Sequence, residues 1–296
     1  MDEPDKDSYR KTRVPAARHQ TASWEAALVS NGARRGSALL LVALALAGAA
    51  CGGQGDGGRP AATTAAAPST TLAQIGAVCL QGGERSRTVR FRSANGAELA
   101  GVLLGKGQVG VVLAHQINND LCQWLPYARV LAKRGYRVLA FDFEGSGASG
   151  PSPGSGDPPL DQDVAAAAEL LRERGASRVV LVGGSLGGTA VVTAAAGVRP
   201  PVAGVICLSG PSEFYAMDAV RAASRLTVPV LFMVGAQDRG FPENAREMYA
   251  ATKVPDRKLV VVPGPYHGVV LLDPDDPTTR RNRDLVERWL ASHTGS

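Results

Sequence analysis

One stretch, residues 178–196, restricts the fold of this 296-residue chain more than any other. A run of β-branched and leucyl residues, Val179–Val182, predicts a buried strand, and the alanine-rich segment that follows the turn predicts a helix. Between them stands Gly183-Gly184-Ser185-Leu186-Gly187, a G-x-S-x-G pattern that places a serine on a tight strand-to-helix turn with its hydroxyl exposed. The first and last glycines lack a Cβ that would clash where the helix folds back on the strand. The stretch therefore predicts that Ser185 is a nucleophile.

The chain contains a second copy of the same pattern, Gly150-Pro151-Ser152-Pro153-Gly154. Two prolines interrupt this copy, no apolar run lies close before it, and no helix former follows it. Those features are typical of a surface loop, so Ser152 is not a candidate nucleophile.

From Cys79 onward, strand patterns alternate with helix patterns. Two segments joined at Asn95-Gly96, residues 87–92 and 97–104, predict an opening hairpin. Further strands are predicted at 109–114, 137–143, 179–182, 202–208, 228–234 and 258–262, and helices at 124–134, 160–174, 186–196, 215–224, 243–251 and 280–292. Continuous apolar strands between amphipathic helices predict an α/β fold with a mostly parallel central sheet covered by helices on both faces. Residues 210–227 have room for one short helix only, so no large lid is expected.

A serine nucleophile needs a base and an acid that orients the base, and both are sought at the carboxyl ends of strands. Of the four histidines, only His267 follows both Ser185 and a predicted strand, the last one, without lying in the tail. Asp238 follows the preceding strand and is the predicted acid, with Asp218 and Glu213 as alternatives. The order Ser185, Asp238, His267 is the order Ser-acid-His. The acidic cluster Asp273, Asp275 and Asp276 lies among prolines and is interpreted as a solvated loop, and no metal site is predicted.

On these motifs, residues 85–296 resemble an α/β-hydrolase-fold serine hydrolase of the dienelactone-hydrolase-like and esterase branch. Leu113-Ala114-His115-Gln116 matches a segment that usually reads His-Gly, with Gln116 in place of glycine. Residues 142–149 match the family's Asp-x-Arg-Gly-x-Gly-x-Ser loop, with Glu144 in place of arginine. The resemblance implies backbone N–H donors for a developing oxyanion from Leu186 and Gln116. It also implies that His115 packs or donates hydrogen bonds beneath the site and is not the base.

The first fifty residues are predicted to be a leader and signal peptide. Arg34-Arg35 precede a 14-residue apolar run, Ser37–Ala50, which is too short to span a bilayer comfortably. Leu46–Cys51 resembles a bacterial lipobox with Gly48 in place of an aliphatic residue, which implies lipidation of Cys51. The alternatives are an ordinary cleaved secretory peptide and an uncleaved anchor, and translation starting near Val29 is a further hypothesis, which a peptide map of the precursor would test.

These segments define three expected parts of the chain. Residues 1–50 are the leader, 51–77 a flexible low-complexity tether, and 78–296 the hydrolase domain. The protein is expected on the extracytoplasmic face of the cell membrane through its lipid anchor, or secreted if Cys51 is not lipidated. In such a compartment Cys79 and Cys122 are candidates for a disulfide, whereas Cys207, in an apolar strand, is interpreted as a buried thiol.

The net charge of +5 is not arranged as a basic stripe with interleaved aromatic residues, so nucleic acid is not an expected partner. The sequence predicts a hydrolase that cleaves small or moderate carboxylic esters through an acyl-enzyme, with no metal or organic cofactor. A peptidase or thioesterase with the same triad and a non-catalytic surface-binding lipoprotein are the alternatives. Six aromatic or sulfur-containing residues are candidates for an acyl pocket: Trp124, Phe214, Tyr215, Met217, Phe241 and Tyr266.

Overall fold

The inner strands of the central sheet carry mainly apolar side chains, and most of these are buried on both faces of the sheet. A computed structural model describes residues 75, 76 and 78–295. Ten strands lie in this part of the chain: β1 Thr88–Arg92, β2 Glu98–Leu104, β3 Val109–Ala114, β4 Arg137–Asp142, β5 Arg178–Gly184, β6 Gly204–Leu208, β7 Glu213–Phe214, β8 Met217–Asp218, β9 Val230–Gly235 and β10 Arg257–Val262. In β3, β6 and β9 every residue is buried, as expected for a sheet covered on both sides.

Eight of these strands form one sheet in the order β1-β2-β4-β3-β5-β6-β9-β10. β1 and β2 pair antiparallel, β2 pairs antiparallel with β4, and the remaining neighbours are parallel. Ala114 at the end of β3 is in register with Gly183 of β5, and Leu208 at the end of β6 is in register with Gly184. The residues that follow β3 and β6 therefore lie on either side of Ser185.

Within the described residues, six α-helices cover the sheet: α1 Leu125–Lys133, α2 Leu160–Glu173, α3 Leu186–Gly197, α4 Ala219–Ala223, α5 Phe241–Ala251 and α6 Arg280–Thr294. One core cluster joins α2, α3, α4 and α5 to the sheet, and a second joins α1 and α6 to the opposite face. α3 is buried along nearly its whole length, because its alanines and valines pack between the sheet and α2 and α4. The predicted mostly parallel sheet with helices on both faces is confirmed.

The segment between β6 and β9 differs in detail from the sequence prediction. A single helix over 215–224 is predicted, but the structure has the two-residue strands β7 and β8 followed by the five-residue helix α4. Asp218 caps the amino end of α4, because its side chain accepts a hydrogen bond from Arg221 N at 2.7 Å. Tyr215 has a positive φ of 49° between β7 and β8, so the chain turns back there and does not continue as a helix.

Two residues in the range predicted as tether, Ile75 and Gly76, lie among the described residues and pack against their neighbours. Ile75 is 1% exposed and belongs to the core cluster that contains Leu121. A Cβ at Gly76 would lie 3.0 Å from Leu80 Cγ, so the chain already packs closely there. The leader, Cys51 and most of the tether lie outside the described residues. Among the residues that are described, none of the helices has the length and apolar character needed to cross a membrane.

Candidate active site

Ser185 lies on a strained turn between β5 and α3. Its φ of 51° and ψ of −121° belong to a region that non-glycine residues rarely adopt, and its N–H donates to Leu208 O at 2.8 Å. A Cβ at Gly183 would come within 2.0 Å of Gly187 O, and a Cβ at Gly187 within 2.2 Å of Ala114 O. Both glycines are therefore required for the helix to pass this close to β5 and β3. The turn holds the serine at the carboxyl edge of the sheet.

His267 and Asp238 form a hydrogen-bonded pair at the same edge. His267 Nδ1 lies 2.9 Å from Asp238 Oδ2 and 3.1 Å from Oδ1. Because a carboxylate only accepts hydrogen bonds, Nδ1 carries the proton and Nε2 is left as an acceptor. The Phe241 ring packs 4.3 Å from the imidazole, centroid to centroid, and the Asp238 carboxyl is buried. Phe241 therefore holds the imidazole of His267 by packing against the ring, and Asp238 holds it by the hydrogen bond to Nδ1.

The chain that follows His267 lies directly against the serine turn. A Cβ at Gly268 would be 3.3 Å from Ser185 N, and a Cβ at Gly184 would be 2.9 Å from Val269 N. The structure thus brings the three predicted triad residues into one region. Among the hydrogen bonds of the described residues, none joins Ser185 Oγ to His267 Nε2. Such bonds are often long in unliganded enzymes and shorten when substrate binds.

Two backbone N–H groups of the predicted oxyanion site differ in their availability. Leu186 is the first residue of α3, where an N–H has no acceptor within its own helix. Gln116 N, by contrast, donates to Gln123 Oε1 at 3.1 Å. The next N–H along, that of Ile117, has no acceptor among the described residues, and the Ile117 side chain is 38% exposed. No sequence motif marks Ile117, because the His-Gly pattern of the family covers residues 115 and 116 only.

The Gln116 side chain connects the loop after β3 to the loop that carries His267. Its Oε1 accepts a hydrogen bond from Val269 N at 2.7 Å. A Cβ at Gly268 would lie 2.4 Å from this oxygen, and Gly268 has a φ of +55°. Glycine is therefore the residue that the packing of Gln116 permits at this position.

His115 is a structural histidine. Its Nε2 accepts from Phe143 N at 3.1 Å, so Nδ1 carries the proton and donates to Gln116 O at 2.6 Å. The side chain is 1% exposed, and burial lowers the pKa of His115. Both ring nitrogens are engaged, so His115 has no free position for a catalytic proton.

Two buried acids at the end of β4 and in the loop after it, Asp142 and Glu144, form hydrogen bonds with neighbouring segments. Asp142 accepts hydrogen bonds from Leu121 N at 2.7 Å and Ala148 N at 2.8 Å, and burial raises the pKa of Asp142 to about 6. Glu144, which stands where the resembling family has arginine, is 4% exposed and accepts from Asn95 Nδ2 at 2.7 Å. Its N–H donates to Asp163 Oδ2 at 2.9 Å. This loop joins the opening hairpin to α2.

The other acidic candidates have structural roles. Asp218 caps α4, and Glu213 is exposed in β7. Asp273 accepts from Asp275 N, and Asp276 caps a short 3-10 turn that begins at Pro277. Within residues 75, 76 and 78–295 there is no group of three or more histidine, cysteine or acidic residues placed to hold a metal ion.

Cys79 and Cys122 form a disulfide with their Cα atoms 5.6 Å apart. Cys122 belongs to the 3-10 turn Leu121–Trp124, which also carries Gln123. Cys207 is a buried free thiol, and burial raises its pKa to about 12.

The six aromatic and sulfur-containing candidates do not form one pocket wall. Trp124 and Met217 are buried in the two core clusters. Tyr215 is 45% exposed with the Phe214 ring 4.7 Å away, and the Tyr266 hydroxyl is 2.6 Å from Thr278 Oγ1. Phe241 packs its ring on the imidazole of His267.

A mostly parallel eight-stranded sheet with helices on both faces and a serine on the turn after a central strand defines the α/β hydrolase fold. Residues 110–223 match the family described as alpha/beta hydrolase fold. The predicted fold class is confirmed. No curated protein matches the chain in sequence.

Several solved hydrolases are similar in structure. An esterase from Pyrococcus furiosus is 19% identical with a TM-score of 0.57, over 69% of this chain and 92% of that one. A monoacylglycerol lipase from Paleococcus ferrophilus is 21% identical with a TM-score of 0.56, over 66% and 99%. An enol-lactonase from Burkholderia xenovorans is 19% identical with a TM-score of 0.54, over 67% and 99%. At these identities the likeness establishes the fold alone.

Proposed function

We propose that this protein is a serine hydrolase that cleaves carboxylic esters of small or moderate size through an acyl-enzyme. The observation that carries the proposal is the hydrogen bond of His267 Nδ1 to Asp238, next to the strained turn that presents Ser185. Esterases and a lipase among the structurally similar proteins add support for an ester bond as the target.

In the proposed reaction Ser185 Oγ attacks the ester carbonyl carbon while His267 Nε2 accepts the hydroxyl proton. The imidazolium then gives that proton to the leaving alcohol, which leaves the acyl group on Ser185. Water attacks the acyl carbon with His267 again as base, and the carboxylic acid departs as the serine recovers its proton. Asp238 holds the imidazole in one tautomer and stabilises its charged form. The reaction needs no metal or organic cofactor.

We propose Leu186 N–H and Ile117 N–H as the donors to the developing oxyanion. Leu186 lies at the amino end of α3, where the helix dipole favours negative charge. Ile117 replaces the Gln116 N–H expected from the sequence, because the Gln116 N–H is already engaged by Gln123 Oε1.

Exposed apolar side chains around Ser185 favour a substrate with an apolar acyl or alcohol part. Gln116 and Val269 are joined by a hydrogen bond, and the residues that follow them in sequence are Ile117 and Val270. The side chains of Ile117 and Val270 are 38% and 46% exposed. Tyr215 is exposed after β6, on the other side of Ser185. Exposed apolar groups near a reactive serine provide contact area for a hydrocarbon chain.

The test is labelling by a fluorophosphonate probe followed by a panel of esters. Wild-type protein should be labelled at Ser185, and Ser185→Ala should lose both the label and ester turnover. Ser152→Ala is the matched control, because Ser152 lies in the second G-x-S-x-G pattern and should label and turn over like wild type. A wild-type protein that the probe leaves unlabelled would support a non-catalytic binding protein instead. Turnover of peptides or thioesters without esters would support the peptidase or thioesterase alternative.

The cellular location is a separate proposal that rests on the sequence. A lipid anchor at Cys51 would hold the domain on the extracytoplasmic face of the membrane. Cys51→Ala should then release the protein into the medium. Unchanged membrane retention of this variant would contradict the anchor and leave the proposed chemistry untouched.

A further inference from the structure

We propose that Gln116 is a positioning residue whose side chain holds the loop of the catalytic base in place against the loop of the oxyanion site. The inference rests on the proposed function and adds a residue to it. Gln116 stands where the resembling family has glycine, so no side chain is expected to act there.

The bridge consists of one hydrogen bond between parts of the chain that are 153 residues apart. Gln116 Oε1 accepts from Val269 N at 2.7 Å, and Val269 is two residues beyond His267. The Gln116 side-chain amide also packs on Gly268, where a Cβ would come within 2.4 Å of Oε1 and 2.9 Å of Cδ. The same Cβ position is 3.3 Å from Ser185 N, so the bridge lies beside the nucleophile.

The backbone of Gln116 is itself fixed at both ends, which makes it a firm support for the bridge. Its N–H donates to Gln123 Oε1 at 3.1 Å, and its carbonyl accepts from His115 Nδ1 at 2.6 Å. His115 is held in turn by Phe143 N. Gln123 belongs to the turn that the disulfide of Cys122 ties to Cys79. The backbone N–H, the carbonyl and the side-chain Oε1 of Gln116 are thus all hydrogen bonded.

The physical consequence concerns the geometry of the transition state. His267 has to reach Ser185 Oγ and then the leaving alcohol, while the donors after β3 have to reach the carbonyl oxygen. A misplacement of about 1 Å can cost about 100-fold in rate. The imidazole is fixed by Asp238 and Phe241, whereas the backbone after it is fixed to the β3 loop by Gln116. Removing the bridge should therefore lower kcat and leave KM nearly unchanged.

Three variants test the proposal. Gln116→Met keeps the length of the side chain and removes the acceptor, and should lower kcat about 10- to 100-fold with KM within about twofold of wild type. Gln116→Glu keeps an oxygen acceptor for Val269 N and adds a negative charge against the two residues that follow His267, so the acidic limb of kcat/KM should move to higher pH. Gln162→Met is the matched control, since Gln162 is a half-buried glutamine on α2, away from the loops after β3 and β10, and its replacement should behave like wild type.

Amide hydrogen exchange at Val269 measures the bridge without relying on activity. Protection of this amide should fall in Gln116→Met, return in Gln116→Glu and stay unchanged in Gln162→Met. A Gln116→Met protein with the kcat of wild type would overturn the positioning role. If wild-type protein hydrolyses no ester and takes no probe, the proposed function fails instead, and a drop in Val269 protection would still establish the bridge.

Discussion

At the scale of single residues, the acid beside His267 determines which nitrogen of the imidazole is free to accept a proton. Asp238 accepts from Nδ1 through both carboxylate oxygens, at 2.9 and 3.1 Å. An imidazole held in this way presents Nε2, and in the proposed reaction the buried carboxylate would balance the charge formed on the ring.

Asp238→Asn should leave the fold intact and lower kcat by about 10⁴-fold, because an amide no longer fixes the tautomer or balances the imidazolium. The measurement is the steady-state hydrolysis of an ester that wild type cleaves. Asp218→Asn is the control, since Asp218 was the alternative acid and caps α4 in the structure. A large loss of kcat in Asp218→Asn together with an active Asp238→Asn would reverse the assignment.

Gly183, the last residue but one of β5, lies where α3 passes closest to the strand. Gly183→Ala should destabilise the protein by several kcal/mol or prevent folding, because the new methyl group would meet Gly187 O at 2.0 Å. Urea unfolding of purified protein measures the effect. Gly197→Ala is the control within the same strand-turn-helix unit, since a Cβ there meets nothing within 4 Å and alanine favours the helix. Equal stability of the two variants would contradict the close approach of α3 to β5.

The sequence could place each residue of the proposed triad after its own strand, whereas the contacts that surround these residues could not be predicted. The serine turn, Asp238 and His267 each follow a strand that is apolar enough to recognise in the sequence, and parallel strands bring their carboxyl ends together. The hydrogen bond from Val269 to Gln116 spans 153 residues, and no local pattern signals it. Which N–H after β3 stays free depends on the position of Gln123, and that position is set by packing.

At the scale of elements, most boundaries follow from composition, and the exceptions have physical causes. β3 spans the predicted Val109–Ala114, because all six residues are apolar or glycine. β5 extends beyond the predicted 179–182 to Gly184, since backbone pairing with Leu208 continues through residues that the apolar pattern does not mark. The strands β7 and β8 were missed because two-residue strands carry no periodicity.

Contacts between elements predict how stability changes with pH. Asp163, on the buried face of α2, accepts from Glu144 N, and burial raises the pKa of Asp163 from 3.8 to about 7. The folded protein therefore holds more protons than the unfolded chain between these values. The free energy of unfolding should fall as the pH rises through this window, with a slope of at most about 1.4 kcal/mol per pH unit from this group.

Asp163→Asn tests this linkage, because asparagine keeps an oxygen acceptor for Glu144 N and has no titrating group. Urea unfolding at about pH 6 and about pH 7.5 should show a decrease for wild type and a smaller decrease for the variant. Asp142, whose pKa burial raises to about 6, supplies the remaining dependence at lower pH. Parallel curves for the two proteins would show that Asp163 is ionised in both states over this range.

At the scale of the whole molecule, the disulfide ties the first described residues to the active-site side of the domain. The disulfide joins two cysteines that are 43 residues apart in sequence. In the chain-entropy account a closed loop of this size is worth about 4 kcal/mol. The double variant Cys79→Ser with Cys122→Ser should be less stable by roughly this amount in urea unfolding. Reductant should lower the stability of wild type to that of the variant and leave the variant unchanged.

The position of the two ends of the domain determines where the protein can be attached to a solid surface or a fusion partner. Ile75, Gly76 and Cys79 pack beside the turn that carries Gln123, close to the loop after β3, which places this end of the domain at the carboxyl edge of the sheet. The other end lies at the opposite edge, because Thr294 O accepts a hydrogen bond from Arg178 at the first residue of β5. A bead or fusion partner attached after α6 would leave the serine turn facing open solvent. The same attachment ahead of residue 75 would place the bulky group on the side of the domain where the loop after β3 lies.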